Sequence, residues 1–297
     1  MSRSIITEQD IRDHVLRLGE KHPPIRLDSV DRTVNDPWAV RSGFGHVIDY
    51  LARVELEVDR NVLELLSLLP DVSENDRLFY ADVWQPQEIQ HGLVLDRLQQ
   101  DIDMAPADPQ VDVINPKIRI LGALSHLKPI HEVARLLYYL TGAATEKSAV
   151  LAYSLLVEGL DGLGEQAISK TIVQPIRRQE PGHFAFYRLS ATQMIQQNVL
   201  APWQMRLARV LRRKSFSPVG AHTAEYRAQF GAIMTTLGLD KTIMDFASQL
   251  SIVERELLHA RDQGMKVPPY ILAALKDCLE QFRAQGESMF GPRTAAL

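Results

Sequence analysis

The sequence predicts an all-α protein built on a four-helix bundle, with further helices before and after it. Three observations predict this. Apolar residues recur at i, i+3, i+4 and i+7 over long stretches, with no period-2 strand series and no internal repeat. Pro and Gly clusters divide those stretches into segments of helix length. Each of four segments also carries a carboxylate inside its apolar stripe, an arrangement by which bundles hold metal ions in their cores.

The elements follow in order. Residues 1–40 are mixed, and Pro23, Pro24 and Pro37 interrupt any long helix. Ser42-Gly43-Phe44-Gly45 opens a first bundle helix that runs to Leu69 and stops at Leu69-Pro70-Asp71. A second spans about 76–100, and Pro106, Pro109 and Pro116 mark a long connection after it. A third spans about 133–160 and ends in Gly159, Gly162 and Gly164. A fourth spans about 165–198 despite Pro175 and Pro181; the missing N–H of Pro181 predicts a kink or bulge near Gln179–His183. Further helices occupy about 203–285, and 286–297 reads as a frayed tail. The expectation is one domain over 1–297, with its bundle core at about 43–200.

Composition narrows the class. The 297 residues are 45% hydrophobic and 24% charged, which suits a globular protein with a sizeable core. A net charge of −4 gives no reason to expect a nucleic-acid partner. The lone Cys278 excludes internal disulfides and thiolate metal sites. The start, MSRSIITEQD, lacks the apolar core of a secretory signal, and the apolar run 149–157 is too short to span a membrane. The expected location is cytoplasmic.

The chemistry-bearing motif is Glu-x-x-His, found at Glu88–His91, Glu180–His183 and Glu256–His259. About half an occurrence is expected by chance, so helix phase must carry the argument. In the first helix Glu55 interrupts a stripe of Ile48, Leu51, Val58, Val62, Leu65 and Leu69, while Glu57 shares a face with Tyr50, Arg53, Asn61 and Glu64 that reads as solvated. In the second, Trp84, Glu88, His91, Leu95 and Leu98 align. In the third, Tyr139, Gly142, Ala143, Val150, Tyr153 and Val157 surround Glu146; in the fourth, Ile172, Ile176, Glu180, His183 and Tyr187 align. A buried carboxylate must be neutralised, paired or metal-bound, and few basic residues share these stripes.

Hairpin spacing is an independent check. Residues at equal depth in antiparallel neighbours lie equally far from the turn. Glu55 and Glu88 centre on Asp71–Val72, beside Pro70; Glu146 and Glu180 centre on Leu163, between two glycines. Glu225 and Glu256 also centre near a plausible turn, but they form only one such pair. Glu256–His259, flanked by Arg255 and Arg261, reads as a solvated face. The candidate ligands are therefore Glu55, Glu88, His91, Glu146, Glu180 and His183. Carboxylates and imidazoles suit iron, manganese and zinc. Asp59 and Gln179 are candidate hydrogen-bond partners for the imidazoles.

The stretch Trp84-Gln85-Pro86-Gln87-Glu88-Ile89-Gln90-His91-Gly92, with Leu95 and Leu98, resembles the soluble acyl-ACP desaturases, and Glu180-Pro181-Gly182-His183 with Tyr187 resembles their second motif. The likeness covers about residues 45–200. It implies a ferritin-like di-iron fold, commonly a homodimer, that uses O2 to remove hydrogens from an acyl chain on acyl carrier protein. Electrons would come from a ferredoxin-type donor, with Trp84 as an electron-entry residue. Gln90 and Gly182 stand where the family has Arg, Ala149 where it has Thr, and Gln179 where it has an acid. Those departures point to a divergent member, with N-oxygenation or oxidation of a specialised metabolite as the alternative. A non-catalytic ferritin-like iron-binding protein is the rival class, but about 95 residues follow the bundle and a long link separates its second and third helices.

Some residues stay outside the set. Tyr153 and Tyr187 read as core. Arg206, Arg209, Arg212, Arg213 and Lys214 read as a solvated basic face, or as a docking patch for an acidic partner. A substrate channel is expected along Tyr139, Gly142, Ala143, Ala149, Val150 and Tyr153, where small residues leave room.

Overall fold

A computed structural model describes residues 5–68, 72–111, 122–262 and 264–285, without the side chains of 64 and 66–68. The expected turn at Leu69–Asp71, Pro116 and the tail 286–297 lie outside the described residues. The chain is all-helical, and there is no strand among the described residues.

The N-terminal helix α1 (Glu8–Lys21) starts at a capping box, in which the Thr7 hydroxyl accepts from the Asp10 amide and Asp10 accepts from the Thr7 amide. Its buried face is Ile11, Val15 and Leu18. Helix α2 (Pro37–Leu56) begins five residues before the expected start at Ser42, with Asp36 as its N-cap and Pro37 in its first turn. The predicted single helix to Leu69 is broken: a turn at Glu57 separates α2 from α3 (Val58–Leu68).

The second bundle helix, α4, runs from 74 to 101. It comprises α-helical Glu74–Arg77, a π-helical stretch Leu78–Trp84, and α-helical Gln85–Asp101. Helix α5 (Lys128–Gly162) is longer than the spacing predicts. Helix α6 covers 166–196 as Gln166–Ile168, a π-helical Ser169–Val173, and Gln174–Gln196. The expected irregularity near Gln179–His183 is absent, because Pro181 sits inside an unbroken α-helical run. One lost N–H is tolerated there, and the irregularity lies upstream, where the Gln174 amide reaches back five residues to the Ser169 carbonyl and the next residue is Pro175. Gln85 and Pro86 repeat this arrangement after the other π stretch, with the Gln85 amide on the Tyr80 carbonyl.

The C-terminal helices are α7 (Pro202–Ser215), α8 (Ala224–Thr236), α9 (Ile243–Leu250), α10 (Ile252–Leu257) and α11 (Pro269–Gln285). Helix α2 packs on α4, α5 on α6 and α8 on α11, while α8 also lies against α2 and α7 against α5.

The apolar interior forms two clusters. One holds Ile48, Leu51, Leu95, Leu98, Tyr153, Leu156, Ile172 and Ile176. The other holds Val58, Phe79, Trp84, Tyr139, Ala143, Phe186 and Tyr187. Along each bundle helix the change from one cluster to the other falls at the candidate ligands: Glu55 between Leu51 and Val58, Glu88 and His91 between Trp84 and Leu95, Glu146 between Ala143 and Tyr153, and Glu180 and His183 between Ile176 and Phe186. The ligands therefore form a polar layer between two apolar ones.

Candidate metal centre

The four bundle helices bring all six predicted ligands together. Two overlapping groups can each hold a metal ion: Glu55, Glu88, His91 and Glu180, and Glu88, Glu146, Glu180 and His183. Within each group the ligand atoms lie within 4.8 Å of one another. All six side chains are buried, with His91 and His183 at 0% exposure. Glu88 and Glu180 belong to both groups, and their oxygens divide between the two sides. Glu88 Oε1 lies 2.9 Å from His183 Nδ1 and its Oε2 3.6 Å from His91 Nδ1. Glu180 Oε1 lies 3.3 Å from His91 Nδ1 and its Oε2 3.5 Å from His183 Nδ1. This disposition suits two bridging carboxylates, with Glu55 and Glu146 as end ligands.

The orphaned atoms fit a cation. Glu88 Oε1, Glu180 Oε1, His91 Nδ1 and His183 Nδ1 are all buried without a hydrogen-bond partner. Buried polar atoms are nearly always satisfied, so four unsatisfied ones converging on one spot are a signal. The donor set of four carboxylates and two imidazoles suits a borderline or hard divalent ion.

In the metal-free chain the cluster's charge is set by burial and by the groups' own close packing. Burial lifts the Glu55 and Glu180 carboxyls well above the ordinary range, and the Glu88 charge adds to both. Burial would lift Glu88 too, but the close approach of Glu55, His183 and His91 overcomes it and holds Glu88 well below that range. Burial opposes a charged His183, yet the carboxylates of Glu146, Glu180 and Glu88 close around it and raise it well above the usual imidazole value.

The imidazole partners are only partly those expected. Gln179 Oε1 accepts from His91 Nε2 at 2.5 Å, as foreseen for Gln179. Asp59 instead accepts from Gln85 at the exposed edge. The partner of His183 is Gln87, at 2.6 Å, which sequence reasoning missed. The available signal was Gln-Glu-x-x-His, present in both motifs.

Neighbouring aromatics join the ligands. The Tyr153 hydroxyl donates to Glu55 Oε1 at 2.5 Å, so Tyr153 is both a core residue and a ligand partner. Trp84 Nε1 donates to Glu146 Oε1 at 3.2 Å.

A cavity of about 70 Å3 opens beside the ligands. Glu55, Glu88, Glu146 and Glu180 reach it, and Leu51, Val54, Ala149, Ala152, Phe230 and Ile233 supply apolar wall. Of the six wall residues expected from sequence, only Ala149 lines it. Ala143 is a core packing residue at 1% exposure. The space above Gly142 is taken by the Tyr187 ring, 2.2 Å from where a Cβ would stand.

Three surface readings are corrected. Glu57 is 1% exposed, not solvated; Arg53 and Arg60 pair with it at 2.9 and 2.7 Å, and a buried charge needs such partners. His259 is also buried, against Asp262 and Tyr270, while Glu256 pairs with Arg188; neither joins the metal groups. Arg212, expected on a basic face, is 2% exposed and bonds Glu254 through Nε and Nη2 at 2.8 and 2.7 Å.

No protein-family model matches the chain, and no curated protein matches it. No helix among the described residues is long and apolar enough to cross a membrane.

Proposed function

We propose that this chain is an O2-activating di-iron oxidoreductase. The observation that carries the reading is the pair of shared carboxylates, Glu88 and Glu180, each turning one oxygen toward either imidazole, with orphaned Nδ1 atoms facing them. Glu55 and His91 would complete one ion's ligands, and Glu146 and His183 the other's, with manganese an alternative occupant. Iron bound there would supply the electrons that reduce O2 and the oxidising power that takes hydrogen from a substrate. The chain's own part is to hold the ions, to keep Glu55 oriented through Tyr153 and Glu146 through Trp84, and to exclude water by the two apolar clusters.

The cavity at the carboxylates favours catalysis over simple iron binding, because it offers a substrate a route to the ligands. Its small size favours a slender or small apolar substrate, since drug-sized ligands occupy roughly 300–1,000 Å3. Desaturation of a carrier-bound acyl chain, with a ferredoxin-type donor and a homodimeric assembly, rests on the resemblance around Trp84–Leu98. Oxygenation of a small metabolite rests on the cavity.

Metal analysis of protein produced with iron should give about two ions per chain, and Glu88→Ala and Glu180→Ala should each lose both, because each removes a bridge. Metal content near zero, or unchanged in those variants, sinks the reading. Ala149→Leu fills the cavity and should stop sustained reductant-driven O2 consumption while retaining metal. Undiminished consumption in that variant would place the substrate route elsewhere. Uptake that ends after one oxidation of the bound iron in the unaltered protein would favour the non-catalytic alternative.

A further inference from the structure

Gln87 immediately precedes Glu88, and Gln179 immediately precedes Glu180, yet neither serves the imidazole of its own motif. Gln87 accepts from His183 and Gln179 accepts from His91. Both amides are buried, at 0% and 3% exposure. Their orientation is fixed from the other end. Gln87 Nε2 donates to the His22 carbonyl, and Gln179 Nε2 donates to the Pro23 carbonyl at 2.9 Å and the His22 carbonyl at 3.5 Å. A carbonyl only accepts, so each NH2 group must face the backbone and each Oε1 must face an imidazole. A flipped amide would set oxygen against oxygen. The imidazoles must then carry hydrogen on Nε2, which leaves Nδ1 as the atom turned to the carboxylates.

The anchoring carbonyls belong to the segment that ends α1. Helix α1 is itself pinned to the second motif, because His14 Nε2 meets the Gly182 carbonyl at 2.8 Å and Leu18 packs over Gly182. Pro23 and Pro24 fix φ at two successive residues, which stiffens the anchor.

We propose that Gln87 and Gln179 are exchanged positioning residues: each locks the imidazole of the other Glu-x-x-His motif as an Nδ1 ligand, and both are held by the His22–Pro23 backbone. The segment after α1 is thereby part of the metal centre, although it contributes no ligand. The exchange ties α4 to α6 twice across the site, so neither imidazole can turn independently of the opposite helix. The pairing stands on the hydrogen bonds alone, while its effect on metal rests on the two-metal reading.

The test is histidine-selective 15N NMR of the full chain, metal-free and zinc-loaded, with the Nε2–H signals assigned through His91→Gln and His183→Gln. Gln87→Leu should shift or lose the His183 Nε2–H signal and leave that of His91, and Gln179→Leu should do the reverse. Gln87→Glu and Gln179→Glu keep an acceptor oxygen toward the imidazole and, with the other carboxyl oxygen protonated toward the His22–Pro23 carbonyls, should retain the signals, which covers the case in which a leucine variant fails to fold. Zinc titration should resolve two ions, with each leucine variant weakening one of them about 10–100-fold. A Gln87→Leu variant that moves His91 instead of His183, or leaves both signals in place, overturns the exchange. Absence of zinc binding by the unaltered chain overturns the metal half and the reading beneath it, while the Nε2–H signals still decide the pairing.

Discussion

Arg212 shows how far one residue can depart from its neighbours in sequence. It sits among Arg206, Arg209, Arg213 and Lys214, but its guanidinium is inside, bonded to Glu254, to Thr141 Oγ1 at 2.8 Å and stacked 4.9 Å from the Phe216 ring. The partner is itself 1% exposed and accepts from the Tyr270 hydroxyl. Arg212→Met would strand the Glu254 charge and should cost about 3–5 kcal/mol in denaturant unfolding. Arg206→Met, at an exposed position of the same helix, should stay within about 0.5 kcal/mol. Equal effects at both positions would show that the buried pair does not form. Nothing in the 3.6-residue pattern distinguishes Arg212 from its neighbours, because its partner lies 42 residues away on a helix of only six residues. Glu57 escaped for a related reason. Its stripe looked polar and therefore wet, whereas the buried Glu57 carboxylate is paired with both Arg53 and Arg60.

At the scale of elements, the candidate ligands were legible because they break an otherwise apolar period, and the two turn midpoints fixed their depth. The breaks at Glu57 and in the π stretches were not legible. Asp76, Tyr80, Trp84 and Glu88 are all buried at four-residue spacing. An α-helix turns about 100° per residue, so three such steps would rotate the face by about 120°. The wider turn of Leu78–Trp84 removes that drift and lets Trp84 and Glu88 both point inward. Gln85-Pro86 and Gln174-Pro175 marked both places, but a Pro in a periodic stretch reads as a helix start or break. Helix contacts outside the bundle are testable at Gly231, where α8 crosses α11. A Cβ there would stand 2.2 Å from the Cys278 carbonyl oxygen, which is backbone and cannot swing aside. Gly231→Ala should therefore destabilise by about 1–3 kcal/mol although alanine is the better helix former. A more stable variant in thermal melting would mean that the two helices separate at little cost.

For the whole molecule, the proposed ions would compete with protons for one buried layer, and that competition would set how stability depends on pH. Glu55, Glu180 and His183 have raised values in the folded, metal-free chain. Their stabilising contributions are complete below the ordinary values of 4.5 and 6.5, and are lost as pH rises through the raised ones. Glu88 is depressed, so its contribution is present above 4.5 and lost as pH falls. His14, His22, His46 and His222 are lowered first by burial and gain stability as pH rises; His14 and His22 also feel the His183 charge, whereas His46 and His222 owe nothing to the ligand layer and titrate in loaded and metal-free protein alike. His46 and His222 therefore cancel in the difference between the two melting curves. That difference should be small near pH 5, where protons fill the layer, and should grow steadily toward pH 8, where metal replaces them. With each ion at 100 times its Kd, two sites stabilise by about 5 kcal/mol, on the order of 10 °C or more in Tm for a chain of this size. Melting at successive pH values with excess divalent metal and with chelator reads this directly. A gap that is constant with pH would mean that the ions bind without displacing protons, which the buried carboxylates forbid. No gap at any pH would mean that the layer is held by shared protons alone, and the polar boundary between the two apolar clusters would then be a structural feature without a metal.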